Sequence, residues 1–204
     1  MPRAAVDRDP GDWTTAQEWA ARQGWTYSYG AGPQDAVLQE LVATAPVRRI
    51  SKDSHPVDVL RGRAGTVDLV AFDVAYRSGR VQQVQYAITA APTLLALPRM
   101  RLMPARFWRH GGGGLLHLPS GDAEFDSRWL LLTEEDSPDL RRVLQDAGFR
   151  GLLLDTDDGD DFWTAAGHIA AIRPDGHRPL LIEHHARLLG AFLSALAGVP
   201  GDLG

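Results

Sequence analysis

The chain has 204 residues, of which 44% are hydrophobic and 23% are charged, and its formal net charge is -5. A chain of this length buries roughly 70% of the surface it exposes when unfolded, so it can form a core without cross-links. The absence of cysteine excludes disulfide scaffolds, iron–sulfur clusters, thiolate zinc sites and cysteine nucleophiles. The acidic balance argues against a nucleic-acid binder and against a polybasic protein of the membrane surface.

The N-terminal region predicts a tail, a helix and a strand. Residues 1–11 are expected to be flexible, and they lack the apolar region of a secretory signal. A helix is predicted to begin at Thr15, which forms a capping box with Glu18, and to end at Gly24. The alternating aromatic residues in 25–29 then predict a strand with one aromatic face.

The middle of the chain is predicted to be rich in β-structure. A short helix over 34–43 precedes these strands. The strands are expected over 57–63, 67–76, 81–90 and 93–97. The last of them lies between Pro92 and Pro98, which is typical of an edge or terminal strand.

The last third predicts both strands and helices. A strand is expected over 128–133, a helix starts at Ser137, and a hairpin is formed by 162–164 and 169–173. The longest helix is predicted over 180–197. Its apolar arc is so wide that it must be buried on two sides, either in the core or against a second copy of the chain.

Together these elements predict one domain over residues 12–204. It is expected to be an α+β fold with a largely antiparallel sheet of about five to seven strands, covered by three or four helices. No segment with the composition of a linker divides the chain.

Several short motifs resemble those of a family of uncharacterised proteins from high-GC bacteria that carry a domain of unknown function. These are Gly24-Trp25-x-Tyr27, the segment AFDVAY at 71–76, EFDSRW at 124–129, Trp163, and the pair Val199-Pro200 after the last helix. The resemblance covers about residues 13–200. It supports the architecture and implies no activity, because the family has none assigned.

The segment Asp155–Asp161 contains five aspartates, a composition that suggests a calcium-binding loop. Counted from Asp155, position 5 of a calcium loop is Gly159 and position 12 is Ala166, so the ligand spacing of an EF-hand fails. A solvated turn and no metal site are predicted. No cofactor is predicted either, because the one lysine, Lys52, is not preceded by the glycine of a phosphate-binding loop.

Charge is segregated along the chain. Between Val74 and Gly121 there are six arginines and no acidic residue, whereas residues 122–161 hold thirteen acids and four arginines. The two segments could neutralise each other. The alternative is a binding surface for an acidic protein partner or an anionic small molecule, built from an arginine and aromatic cluster: Arg99, Arg101, Arg106, Trp108 and Arg109.

The sequence therefore favours a non-enzymatic cytoplasmic binding or regulatory module that uses the surface around 99–109. No nucleic acid or membrane is expected as a partner, and a homodimer through the last helix stays open. The alternative is a small hydrolase with a histidine–aspartate pair. Its candidates are His110 or His117 with Asp122 or Asp126.

Overall fold

The structure is a computed structural model that describes residues 13–32, 35–47, 50–78, 81–107 and 114–198. Residues 1–11, predicted to be flexible, lie outside this part of the chain. So do Trp108, Arg109 and His110.

The described residues form one antiparallel sheet of nine strands. In chain order the strands are β1 (Thr26–Gly30), β2 (Ser54–Ala64), β3 (Val67–Ser78), β4 (Val81–Pro92), β5 (Met100–Pro104), β6 (Leu116–Leu118), β7 (Trp129–Thr133), β8 (Asp161–Ala165) and β9 (His168–Pro174). Their order across the sheet is β1-β2-β3-β4-β9-β8-β5-β7-β6. The first four strands follow the chain, and the β8–β9 hairpin separates them from β5, β7 and β6.

Six α-helices are described. They are α1 (Trp13–Arg22), α2 (Ala36–Thr44), α3 (Ala123–Arg128), α4 (Pro138–Gln145), α5 (Ala147–Leu154) and α6 (Pro179–Ala197). A single 3-10 turn over Ala105–Phe107 follows β5.

The mixed α+β class is confirmed, but the predicted count of five to seven strands is wrong. The segment 93–97 is not a strand, and the chain enters the sheet only at Met100. The strand β5 was not predicted, because a charged residue (Arg101) and a proline (Pro104) are uncommon in a strand inside a sheet. In the structure β5 lies between two strands and pairs with β7 on one side and β8 on the other. Three or four helices were expected, whereas six are described: α3 and α5 were not predicted, α5 because Gly148 suggested a helix end.

The two faces of the sheet are covered unequally. Five helices (α1 and α3–α6) pack their apolar side chains on one face, where Trp129, Phe149 and Phe192 are buried. Of the described helices, only α2 packs on the opposite face, where its Leu41 joins a cluster with Phe72 and other sheet residues. Alternate side chains of each strand point to opposite faces, so both faces need apolar residues wherever a helix covers them.

The helix α6 is long and apolar enough to cross a membrane by length and composition, with a mean hydropathy of 1.2. Its packing accounts for this composition. Leu188, Leu189 and Phe192 are buried against the sheet and against α4 and α5. The arc predicted to be buried on two sides therefore lies in the core of this fold.

We predict that Phe192→Ala destabilises the protein by about 3–5 kcal/mol, because it leaves a cavity beneath α6. Phe192 is 2% exposed, and its ring meets that of Phe149 edge to face at 5.7 Å between centroids. Urea unfolding measures the change. The matched control is Leu180→Ala on the same helix, where the side chain is 73% exposed and little change is expected. Equal effects of the two substitutions would contradict this account of the core.

Candidate binding groove

An open groove lies on the sparsely covered face of the sheet, beside α2. Its volume is about 1020 Å³. The floor includes Met103, Leu132 and Trp163, and the rim includes Phe107 and Leu115. Trp163 also donates its indole N–H to the hydroxyl of Thr44, which holds the end of α2 against β8 at 3.3 Å. The floor is therefore apolar and is bounded on one side by a fixed helix.

The three predicted site arginines that are described, Arg99, Arg101 and Arg106, all line this groove. The structure thus brings together the three described members of the five-residue cluster. Trp108 and Arg109 lie outside the described residues.

Arg101 is neutralised within the protein. Its Nε and Nη2 donate to the two carboxylate oxygens of Asp161 at 2.9 and 2.6 Å. Burial raises the pKa of Asp161, and the hydrogen bonds and charge of Arg101 oppose that rise. Arg101 therefore follows the first of the two expectations, in which the basic segment and the acidic segment neutralise each other.

Arg99 and Arg106 are held less firmly. The Nη1 of Arg99 lies 3.7 Å from Oε1 of Glu134, and its side chain is 64% exposed, so the pair contributes little. Arg106 is exposed and donates to the backbone carbonyls of Asp157 and Asp158 at 3.4 and 2.5 Å. Its guanidinium also lies 4.7 Å from the ring centroid of Phe107. Its contacts are to neutral groups, so its positive charge has no carboxylate partner among the described residues.

These two arginines lie at opposite ends of β5. Arg99 precedes the strand and Arg106 follows it. An extended chain advances about 3.3 Å per residue, so the two positions are about 20 Å apart. Glu134 holds one guanidinium at the end of β7, and the carbonyl of Asp158 holds the other before β8. One small anion cannot contact both.

The acidic segment Asp155–Asp161 is not the solvated turn that the sequence predicts. Arg128 donates to the carboxylate of Asp158 and to the carbonyls of Leu154 and Thr156. Arg173 pairs with Asp157 and Asp160. The segment is therefore held by Arg128 from α3 and Arg173 from β9, and no group of metal-ligating side chains is found in the described part of the chain.

The histidine–aspartate pairs of the hydrolase hypothesis do not form among the described residues. His117 is exposed on β6. Asp122 caps α3 by accepting from the backbone N–H groups of Glu124 and Phe125, and it also meets Arg150. Asp126 accepts from the N–H and the hydroxyl of Ser120 at 3.0 and 2.7 Å. Both carboxylates thus have structural roles, and His110 lies outside the described residues.

Sequence reasoning missed a buried polar network on the helix-covered face. It joins Asp73, His177, Thr89, His185 and Asp160, all of which are buried. Hydrogen-bonded partners within it are up to 104 residues apart in the chain, so no local motif contains them. The signals that could have found it are Asp73 within the apolar strand pattern and His185 within the apolar arc of α6.

At one end of this network, basic side chains surround the buried carboxylate of Asp160. Arg173 donates to both carboxylate oxygens of Asp160 at 2.7 and 2.9 Å, and Nε2 of His184 lies 2.8 Å from Oδ2. Burial alone would raise the pKa of Asp160, but hydrogen bonds from His184, His185 and Arg173 hold that pKa well below its usual value. Burial lowers the pKa of His185, against the effect of Asp160.

No protein-family model and no curated protein matches this chain. A solved structure with a similar fold is the mycobacterial trehalose monomycolate transport factor A, TtfA. It superposes with a TM-score of 0.64 over 94% of this chain and 98% of that chain, at 14% sequence identity. The likeness shows a shared fold. The mycobacterial source of this neighbour is consistent with an origin in high-GC bacteria, and membership of the family named above stays a prediction.

We predict that Arg128→Ala destabilises the protein by about 2–3 kcal/mol, because charge-assisted hydrogen bonds to the acidic segment are lost. The matched control is Arg141→Ala, whose exposed side chain pairs with Asp136 within one surface turn and should have little effect. Thermal unfolding of both variants measures the difference. If the control costs as much as Arg128→Ala, the acidic segment is not held in the way described.

Proposed function

We propose that this protein is a non-enzymatic binding module that holds an extended acidic segment of a partner protein in the groove beside α2. The observation that carries the proposal is the pair Arg99 and Arg106, two exposed guanidiniums without strong internal partners at the two ends of one groove.

The charge of the groove favours an acidic occupant. Arg101 and Asp161 compensate each other, and Glu40 is a second acid in the lining, so the attraction for an acidic segment comes from Arg106 and from Arg99, whose contact with Glu134 is exposed and long. A guanidinium without a strong carboxylate partner can donate a bidentate pair of hydrogen bonds to an incoming carboxylate. Phe107, which is exposed beside Arg106, adds an apolar contact surface at the same end.

The dimensions favour a protein segment over a small anion. A separation of about 20 Å equals six steps of an extended chain, so acidic side chains six residues apart reach both arginines together. Between them lie Met103, Leu132 and Trp163, which are at most 4% exposed, so the accessible apolar surface for such a segment is mainly that of Phe107 at one end. A single phosphate or carboxylate would meet only one end.

The structural neighbour is in keeping with a binding role. It is named as a transport factor for trehalose monomycolate, and it shares the fold over almost its entire length. What that protein carries or contacts is not transferred to this chain, because the identity is only 14%.

The test uses two peptides of the same composition. In the first, glutamates at the ends of a segment of about seven residues enclose apolar residues; in the second, the glutamates are adjacent at the centre. Fluorescence anisotropy measures both affinities at low and physiological salt. We expect the spaced peptide to bind more tightly and to lose affinity as salt screens the exposed charges.

The double substitution Arg99→Ala with Arg106→Ala should weaken binding of the spaced peptide by about tenfold. The control is Arg63→Ala with Arg141→Ala, which removes the same net charge from exposed pairs outside the groove. Equal losses in the two double variants would show unspecific attraction and contradict the proposal. Equal affinity for both peptides, with competition by inorganic phosphate, would instead identify a small-anion site.

A further inference from the structure

The buried network forms an unbroken chain of four contacts between two carboxylates. Nδ1 of His177 lies 2.8 Å from Oδ1 of Asp73, and Nε2 of the same ring lies 3.1 Å from Oγ1 of Thr89. On the other side of that hydroxyl, Nδ1 of His185 lies at 2.9 Å, and Nε2 of His185 lies 3.0 Å from Oδ1 of Asp160. All four contacts have the length of hydrogen bonds.

Counting hydrogens shows that ordinary protonation states cannot fill this chain. Four hydrogen bonds need four hydrogens. Two neutral imidazoles supply one each and the threonine hydroxyl supplies one, while ionised carboxylates supply none. One contact would then bring two lone pairs together in a buried site, which is costly. The network therefore needs one proton more than two neutral histidines and two carboxylates provide.

The surroundings indicate where this extra proton lies. Asp160 already faces Arg173 and His184, so its charge is compensated without it. Asp73 has only His177 as a cationic partner among the described residues. The backbone N–H of His177 also donates to Oδ1 of Asp73, while Oδ2 is buried without a partner.

Another acidic group adds to the negative field at this end. Asp58 on β2 is close enough that burial, together with the charge of Asp73, raises the pKa of Asp58, although a hydrogen bond from Tyr27 opposes the rise. The need for a positive charge is therefore greatest between Asp73 and His177.

We infer that His177 carries the additional hydrogen as a buried imidazolium paired with Asp73, and that the completed chain of hydrogen bonds ties α6 to the sheet. In this arrangement His177 donates to Asp73 and to Thr89, the hydroxyl of Thr89 donates to Nδ1 of His185, and neutral His185 donates to Asp160. His177 immediately precedes α6 and His185 lies within it, so the chain ties the helix to β3 and β4.

The sign of one pH dependence follows from His185. Burial lowers the pKa of His185, so the histidine of the unfolded chain takes up a proton at a pH where the folded one stays neutral, and stability falls as the pH drops.

The first test needs no substitution. Ring nitrogen shifts of ¹⁵N-labelled histidines in the intact protein, assigned with a His177→Gln sample, report which nitrogens carry hydrogen. At pH 8 we expect both nitrogens of His177 to be protonated and His185 to carry hydrogen on Nε2 alone. A His177 ring with one unprotonated nitrogen at this pH would overturn the inference.

The second test removes the carboxylate that retains the proton. In Asp73→Asn, His177 should become singly protonated at pH 8, whereas Asp68→Asn, on the same strand but in an exposed pair, should leave it unchanged. Retention of the doubly protonated ring in Asp73→Asn would also overturn the inference.

Discussion

The buried carboxylate of Asp160 connects the parts of the molecule that distant stretches of sequence contribute. It receives hydrogen bonds from Arg173 on β9 and lies against His184 and His185 of α6. A buried carboxylate is tolerated only when such partners compensate its charge, so the positions of β9, α6 and the acidic segment depend on one another. Arg173 also pairs with Asp157, whose backbone carbonyl accepts a hydrogen bond from Arg106. One end of the groove therefore depends on the same junction.

The described helices cover the two faces of the sheet unequally. Among the described elements, five helices pack on one face, and the polar network of Asp73, Thr89 and His185 is buried with them. Of the described helices, only α2 packs on the other face, and the groove opens beside it. The apolar residues between the ends of the groove are almost fully buried, so its accessible part is the rim, where Arg99, Arg106 and Phe107 lie.

Local sequence patterns predicted most of the helices and strands, but they could not predict contacts between residues that are distant in the sequence. The alternation in β3 and β4 and the arc of α6 gave these elements almost to the residue. The strand β5 was missed because its place between two neighbours depends on pairing with residues some 30 and 60 positions later. The arginine cluster was visible as a charge pattern, but the pairing of Arg101 with Asp161 could not be read from it. The hydrogen-bonded network from Asp73 to Asp160 was not predicted for the same reason.

Asp160 and Asp161 are neighbours in sequence, yet they serve opposite sides of the sheet. Asp160 meets the helices and Asp161 meets Arg101 in the groove. Backbone pairing joins β8 to β9 over five residue pairs and to β5 over two. A shift of β8 by one residue would exchange the two faces of the strand, turning Phe162 out of the core and separating both carboxylates from their cations. The two sets of ion pairs therefore add to the backbone pairing in favouring this register, and neither aspartate can replace the other.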